Sequence, residues 1–513
     1  MKARIISLFI SIAVSISAIF SGEKVFVASA FASNSTAILV NGGASVPDNG
    51  CDFYNDLHRM ERVLNGWNQI ELAADGDQTG DAPNGIACLK ETTDTAFDST
   101  GFAILKRYQE PGAKEASEDN LKQEIFKAVA GSPPPKTLLL YFTDHGSQGE
   151  VNLWGQSISA EHLQTLLAQV PEQTQLIVVH DHCFSASMLE SLFSNSGHIR
   201  PHSCGFAAAS DSEFAMEDQT IAKKLDGESA HNINAPFREM MWDPKVQSTP
   251  TTTSDVFLAK YLKAHSSEKS CETCLKSGAI DSLIQGFDDQ NKQVAKVLLL
   301  PDLQSLNDDL ARAFAQAKVA PGTSLTAVQA QVRATLQAFN NAQTADGKAF
   351  DRFAPVMNSY VVENLGRPKF DQFNKMDTDL DTLRDKLEFE INPEKRQDLI
   401  HQIQTLEPKY AELNGEIGRI KLATGSNDTS RFEKFVAAGA QKGRWPSNIF
   451  AAYADEDQRV TKISEHEKPI LTLSKLLTKK EALDKMISNG DSSSILEYLG
   501  ILECENTDLR QHS

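Results

Sequence analysis

The chain lacks a surplus of basic residues: 50 Lys and Arg stand against 69 Asp and Glu, a formal net charge of −19 over 513 residues. Such a surface repels phosphate backbones, and no local basic patch offsets it, so nucleic acid is not expected as a partner. Beyond the first 20 residues there is no apolar run long enough to cross a bilayer, so no membrane span is expected in the mature chain. "CETC" at 271–274 has no second pair of the same kind, which removes the usual four-cysteine zinc site and favours a local disulfide or an unremarkable pair over metal. From about residue 300 the strand patterns stop, so any parallel sheet has to be built from the first half.

What the chain does contain begins at its N-terminus. Lys2 and Arg4 precede an apolar stretch from Ile5 to Phe20, and "VASAFAS" then supplies small-residue cleavage patterns ending at Ala30 or Ala32. Glu23 and Lys24 interrupt the run, so residues 1–32 read as a secretory signal peptide rather than a spanning helix. No cysteine lies near the cleavage patterns, so lipid anchoring there is not expected. The mature protein is expected to be secreted or periplasmic. Seven cysteines in an oxidising compartment are expected to pair, and their odd number leaves at least one outside any disulfide.

Hydrophobic residues make up 41% and charged residues 23%, an ordinary globular balance, and the length favours two or more domains. Strand and helix patterns alternate after the signal peptide. "TAILVNGG" is a short β-branched strand closed by glycines. Phe53, Leu57, Met60 and Leu64 then line one face of a helix. "QIELAA" gives a second strand, followed by a polar loop over roughly 75–100. Ser117 and Ser159 are placed to cap two further helices. Between them "KTLLLYF" (136–142) is the most apolar strand so far and ends in "TDHG". "QLIVV" (175–179) follows and ends in "HDHCFSAS", and "CGFAAAS" (204–210) is one strand more.

Strands alternating with amphipathic helices imply βαβ units and a mostly parallel sheet. Ligands gather beyond the carboxyl ends of such strands, where "TDHG" and "HDHC" both lie. Consecutive strands are usually neighbours, so His145 and Cys183 are expected side by side. A thiol nucleophile needs a base and donors for a developing oxyanion. Cys183 can supply the first and His145 the second. The backbone N–H groups of Gly146 and Cys183 are oxyanion candidates, and the glycine permits close backbone approach. His180 and His182 are expected to lie behind the site or face solvent. A zinc site from His145, His180, His182 and Cys183 is the competing reading, and strand alternation speaks against it. Asp211 and Glu213, after the next strand, are expected either to border the substrate pocket or simply to face solvent. Acidic walls there would favour a basic or amide side chain over aspartate.

"LLLYFTDHGSQGE" with "LIVVHDHCFSAS" resembles the clan of cysteine peptidases that holds caspases, metacaspases, legumains, clostripain and gingipains. "FTDHG" and "FAAASDSEFA" are most similar to legumains, and "DHCFSAS" to bacterial caspase-like proteins. The resemblance covers roughly residues 36–265. It implies a caspase-like αβα sandwich, polypeptide substrates and no cofactor or metal. It also implies His145 as catalytic base and Cys183 as nucleophile. Ala186 stands where glycine is usual, and His182 replaces a small residue.

The domain organisation expected on this basis is a peptidase domain over 33–270, a linker over 271–300 and a helical region over 301–513. Two heptad-like seams suggest a helical hairpin turning near Pro393, with Pro408 expected to kink or shorten its second arm. By analogy of position with legumains, the helical region could cover the active site. A silent scaffold on a peptidase fold and a legumain-like transpeptidase are the alternative functions.

Overall fold

The computed structural model describes residues 35–44, 49–76, 86–90, 104–108, 112–194, 202–211, 215, 220–227, 232–243, 246, 248–269, 271, 273–276, 278–338, 341, 367–389, 393–425 and 447–509. Residues 1–32, expected as a signal peptide, lie outside this set. So does Glu213.

Strand β1 (Ser35–Asn41) opens the fold and is followed by helix α1 (Cys51–Val63) and strand β2 (Asn68–Ala73). Strand β3 (Ile86–Lys90) lies within the expected polar loop and pairs antiparallel with β4 (Ile104–Tyr108), just beyond it. Helix α2 (Glu118–Val129) is capped by the Ser117 side chain. Strand β5 (Thr137–Thr143) runs straight into a small ribbon of β6 (Gly146–Ser147), β7 (Glu150–Leu153) and β8 (Gln156–Ser159). Ser159 then caps helix α3 (Ala160–Leu167). Strand β9 (Gln175–Asp181), helix α4 (Ala186–Ser194), strand β10 (Ser203–Ala207) and helices α5 (Ile221–Gly227) and α6 (Asn234–Trp242) follow. The short β11 (Thr251–Thr252) leads into α7 (Thr253–Ala264), which opens with a capping box from Thr252 and Asp255.

Six strands form the main sheet in the order β11-β10-β9-β5-β1-β2, parallel throughout except where β11 turns back on β10. Strand β5 is central, and its residues from Leu138 to Phe142 have no solvent exposure. That explains why it reads as a continuous apolar run rather than an alternation. Alternate residues sort the core into two clusters. Ile38, Leu140, Phe142 and Val178 face α2, α3, α4 and α7, whereas Leu39, Tyr141, Ile177 and Val179 face α1, α5 and α6. This is the αβα sandwich with a mostly parallel sheet that the resemblance implies.

The described residues of the stretch 271–300, expected as a linker, are largely helical and packed. Leu275, Ile280, Leu283, Ala295 and Leu299 are buried in the cluster on the α7 side of the sheet. A π-helical turn at Ala295–Leu299 precedes the helix Leu300–Gln316, where Pro301 cannot donate to the preceding turn. The hairpin is present as helices Arg367–Phe389 and Pro393–Gly425, and Pro408 sits inside the second without ending it. Its seam residues Met376, Leu380, Leu383, Ile403 and Leu413 form small clusters of their own.

The last two helices, Ser447–Ser488 and Ser492–Glu505, return to the sheet. Leu473, Leu483, Ile495 and Leu502 share one buried cluster with Leu140 and Phe142. Lysines on the first of them grip the other half of the chain. Lys468 Nζ donates to the carbonyls of Met240, Asp243 and Val246, Lys475 to that of Pro250, and Lys485 to that of His265. Three disulfides, Cys51–Cys88, Cys204–Cys504 and Cys271–Cys274, account for six of the seven cysteines. The second joins β10 to the final helix across 300 residues. Cys183 keeps its thiol.

Candidate active site

The site is set by strand register. In the β5–β9 pair, Phe142 is opposite His180 and Thr143 opposite Asp181. The two strands therefore end level, and the segments that follow leave the sheet together. One carries Asp144, His145 and Gly146, the other His182 and Cys183. A direct tie holds them, because the Gly149 N–H donates to Ser187 Oγ at 2.7 Å. Gly146 is pressed so closely against its neighbour that a Cβ there would lie 2.2 Å from His182 Nδ1 and 2.9 Å from the Cys183 carbonyl oxygen. Only glycine allows that approach.

The turn after Cys183 is held at several points. Phe184 takes a left-handed conformation at φ 55°, which is costly for a residue with a Cβ. The Ser187 hydroxyl donates to the Phe184 carbonyl at 2.6 Å, and Ser185 exchanges hydrogen bonds with the backbone of Ala209. Helix α4 starts at Ala186, three residues after Cys183. Ala186 itself donates its N–H to the Ala209 carbonyl. The unusual backbone angle falls on Phe184, so the position where glycine is usual does not need glycine's freedom here.

His145 is half-buried, with its ring edge-on to Phe53 of α1 at 5.0 Å between centroids. The Cys183 thiol points to the Ala215 carbonyl at 3.8 Å, and Ala215 packs on the α1 side of the sheet. Base and nucleophile candidates thus lie toward the same face. Asp211 is exposed in the turn after β10, and its backbone carbonyl accepts from Gln148 Nε2 at 3.0 Å. That places it beside the segment that follows His145. Burial and the nearby Asp211 charge raise the Glu190 carboxyl above its usual range.

Two features of this end of the sheet go beyond what the sequence pattern implies. The first is a buried carboxylate pair beneath the site. Asp181 accepts from the Tyr141 hydroxyl at 3.0 Å and from the Ala222 N–H at 3.2 Å. Burial pushes it up to about 6. Asp56 on α1 is raised well above the carboxylate range, by burial first and then by Asp181, while its ion pair with Arg59 works the other way. Strand alternation marks Asp181 as facing the α1 side; its meeting with Asp56 spans more than a hundred residues of sequence and has no local sign.

The second feature is the position of His180 and His182. Both are buried behind the Cys183 turn, one of the two placements expected, and neither faces solvent. The reason is that β9 continues past its apolar run to Asp181, so His180 and His182 share the side opposite Asp181. His180 stacks on Phe142 at 5.1 Å and 10°. Its Nδ1 is 3.0 Å from His182 Nε2, and His182 Nδ1 is 2.8 Å from the Cys183 carbonyl oxygen. Burial holds His180 well below the usual histidine range and His182 down to about 4, so both are neutral at ordinary pH. Both ring nitrogens of His182 are engaged, so its part in the alternative zinc set would require breaking these contacts. Among the described residues no cluster of three or more His, Cys, Asp or Glu is arranged to hold a metal ion.

Residues 118–227 match the model of the Peptidase C13 family. The matched stretch runs from α2 to α5 and contains both His145 and Cys183. It supports the resemblance to caspase-like and legumain-like cysteine peptidases, and at that level indicates a cysteine-type peptidase acting on polypeptides. No curated protein matches the chain.

Proposed function

We propose that this protein is an exported cysteine endopeptidase that works through a dyad of Cys183 and His145. The observation that carries the reading is the level ending of β5 and β9, which delivers the two side chains from adjacent strands into tied segments. His145 takes the thiol proton, and the thiolate of Cys183 attacks the scissile carbonyl carbon. The oxyanion so formed is received by the N–H groups of Gly146 and Cys183. His145 returns the proton to the departing amine, and water, activated by the same histidine, hydrolyses the thioester. No step calls for a metal or an organic cofactor.

Export is supported by the signal-like N-terminus and by three disulfides, which persist in oxidising compartments. The position of Asp211 beside Gln148 supports an acid-lined approach, so a basic or amide side chain is preferred before the scissile bond. Autoinhibition by the helical half takes a restricted form in this reading. Residues 467–509 are part of the core and stay tethered through Cys204–Cys504, so an activating cleavage has to leave them in place.

Trapping tests the dyad. A peptidyl acyloxymethyl ketone should add to Cys183 alone, giving one modified peptide by mass spectrometry, and His145→Ala should slow the addition by about 100-fold or more. Modification elsewhere, or addition indifferent to His145, would count against the dyad.

A further inference from the structure

Hydrogen-bond chemistry orders the protons in the buried histidine pair. The Cys183 carbonyl oxygen can only accept, so His182 Nδ1 carries the hydrogen in their 2.8 Å contact. In a neutral ring, His182 Nε2 is then an acceptor, and His180 Nδ1 must donate to it across 3.0 Å. This leaves His180 Nε2 as a bare acceptor, and it is buried with no hydrogen-bonding group beside it among the described residues. The reverse order of protons would set a donor against a donor or leave the carbonyl unserved.

We propose that His180 and His182 form a neutral hydrogen-bond relay that positions Cys183 by fixing its carbonyl, and with it the turn that carries the thiol. The relay is anchored at one end by the stack of His180 on Phe142 of the central strand. Its two rings meet nearly at right angles, at 87°, so turning either one breaks their shared bond. At the other end it holds the peptide group between Cys183 and the left-handed Phe184. The His182 ring is also the wall against which Gly146 packs, so the thiol-bearing turn and the Gly146 backbone take their spacing from one side chain. Depressed proton affinity agrees with this order, since a charged ring at either place would be buried without a counter-ion. His180 and His182 touch no substrate in this scheme and are positioning residues. The purpose of the relay rests on the peptidase reading; its existence does not.

The test compares wild type with His182→Phe, His182→Asn and His180→Phe in the full disulfide-bonded chain. Each is measured for the rate of Cys183 alkylation by iodoacetamide, and for kcat and KM on a cleaved peptide. Asparagine can place an N–H donor close to where Nδ1 stands, whereas phenylalanine fills the space with no donor. His182→Phe is expected to slow alkylation about tenfold and lower kcat about 10- to 100-fold with KM little changed, and His182→Asn to recover most of both. His180→Phe is expected to fall between them. Should the phenylalanine variant fail to fold, His182→Asn against His182→Gln decides, because glutamine offers its donor near Nε2 instead. Alkylation and kcat at wild-type levels in His182→Phe, or no advantage of Asn over Phe or Gln, would overturn the relay. If wild type cleaves no peptide while alkylation follows the expected order, the relay stands and the peptidase reading falls.

Discussion

Gly146 shows how a single hydrogen atom can decide the site. Gly146→Ala would drive a methyl group into His182 Nδ1 and the Cys183 carbonyl, so the segments bearing His145 and Cys183 must separate. A displacement of that order is expected to lower kcat/KM by about 100-fold while the chain stays folded; steady-state kinetics with a melting curve checks both. His182 has a consequence for stability. Its folded value of about 4 lies below the unfolded 6.5, so between those values the unfolded state binds more protons. Its contribution is therefore full above pH 6.5 and lost as pH falls toward 4, on the order of 3 kcal/mol. Asp181 acts in the opposite sense: its contribution is full below 3.8 and lost as pH rises through about 6. Comparison isolates the histidine. The stability lead of wild type over His182→Asn should narrow between pH 6.5 and 4 in denaturant titrations, and a constant lead would contradict the assignment. At this scale the placement of His145 and Cys183 just past the ends of two adjacent strands was legible, because each follows an apolar run. The burial of His180 and His182 was not, because it depends on β9 running two residues past the apolar run that announced it.

Among the elements, helices α1, α2 and α3 could be read from apolar spacing and from the Ser117 and Ser159 caps, which act locally. The ribbon β6–β8 could not: its strands are two to four residues long and turn on Gly149 and Gly155, so no alternation has room to show. Pro408 was expected to disturb its helix, yet that helix continues through it. The final helix matters in a way its sequence does not announce. Glu505 accepts from the Ser254 N–H at 2.7 Å and from its hydroxyl at 2.9 Å, at the start of α7. Burial raises Glu505 to about 7. A raised carboxyl gives stability that is full below 4.5 and lost as pH rises through 7. Glu505→Gln should remove that loss, so its melting temperature relative to wild type should climb from pH 4.5 to 7 and then level off. Replacing Cys204 and Cys504 together by serine should cost about 2–5 kcal/mol, read from denaturant midpoints under non-reducing conditions.

The whole molecule does not divide where composition changes. Strand patterns stop near residue 300, and that suggested a separate helical region. The buried cluster instead runs from β1 through the last helix, with Lys468, Lys475 and Lys485 binding carbonyls between residues 240 and 265. Contacts across more than two hundred residues leave no local trace, since a lysine bound for a carbonyl looks like any surface lysine. Ending the chain at residue 300 should therefore yield unfolded protein, not a more active one. Replacing the hairpin 367–425 by a short linker should leave the melting temperature within a few degrees, because its seam residues pack on one another. The proposed function rests on Cys183 and His145, which follow the adjacent strands β9 and β5, cutting peptide bonds together. Its most direct test is a peptide-library cleavage assay on the intact chain beside Cys183→Ala and His145→Ala. Wild type is expected to cleave, favouring a basic or amide residue before the cut, with no cleavage above background in either variant. Cleavage that survives Cys183→Ala, or its absence from a folded wild type in which the thiol is intact, would contradict it.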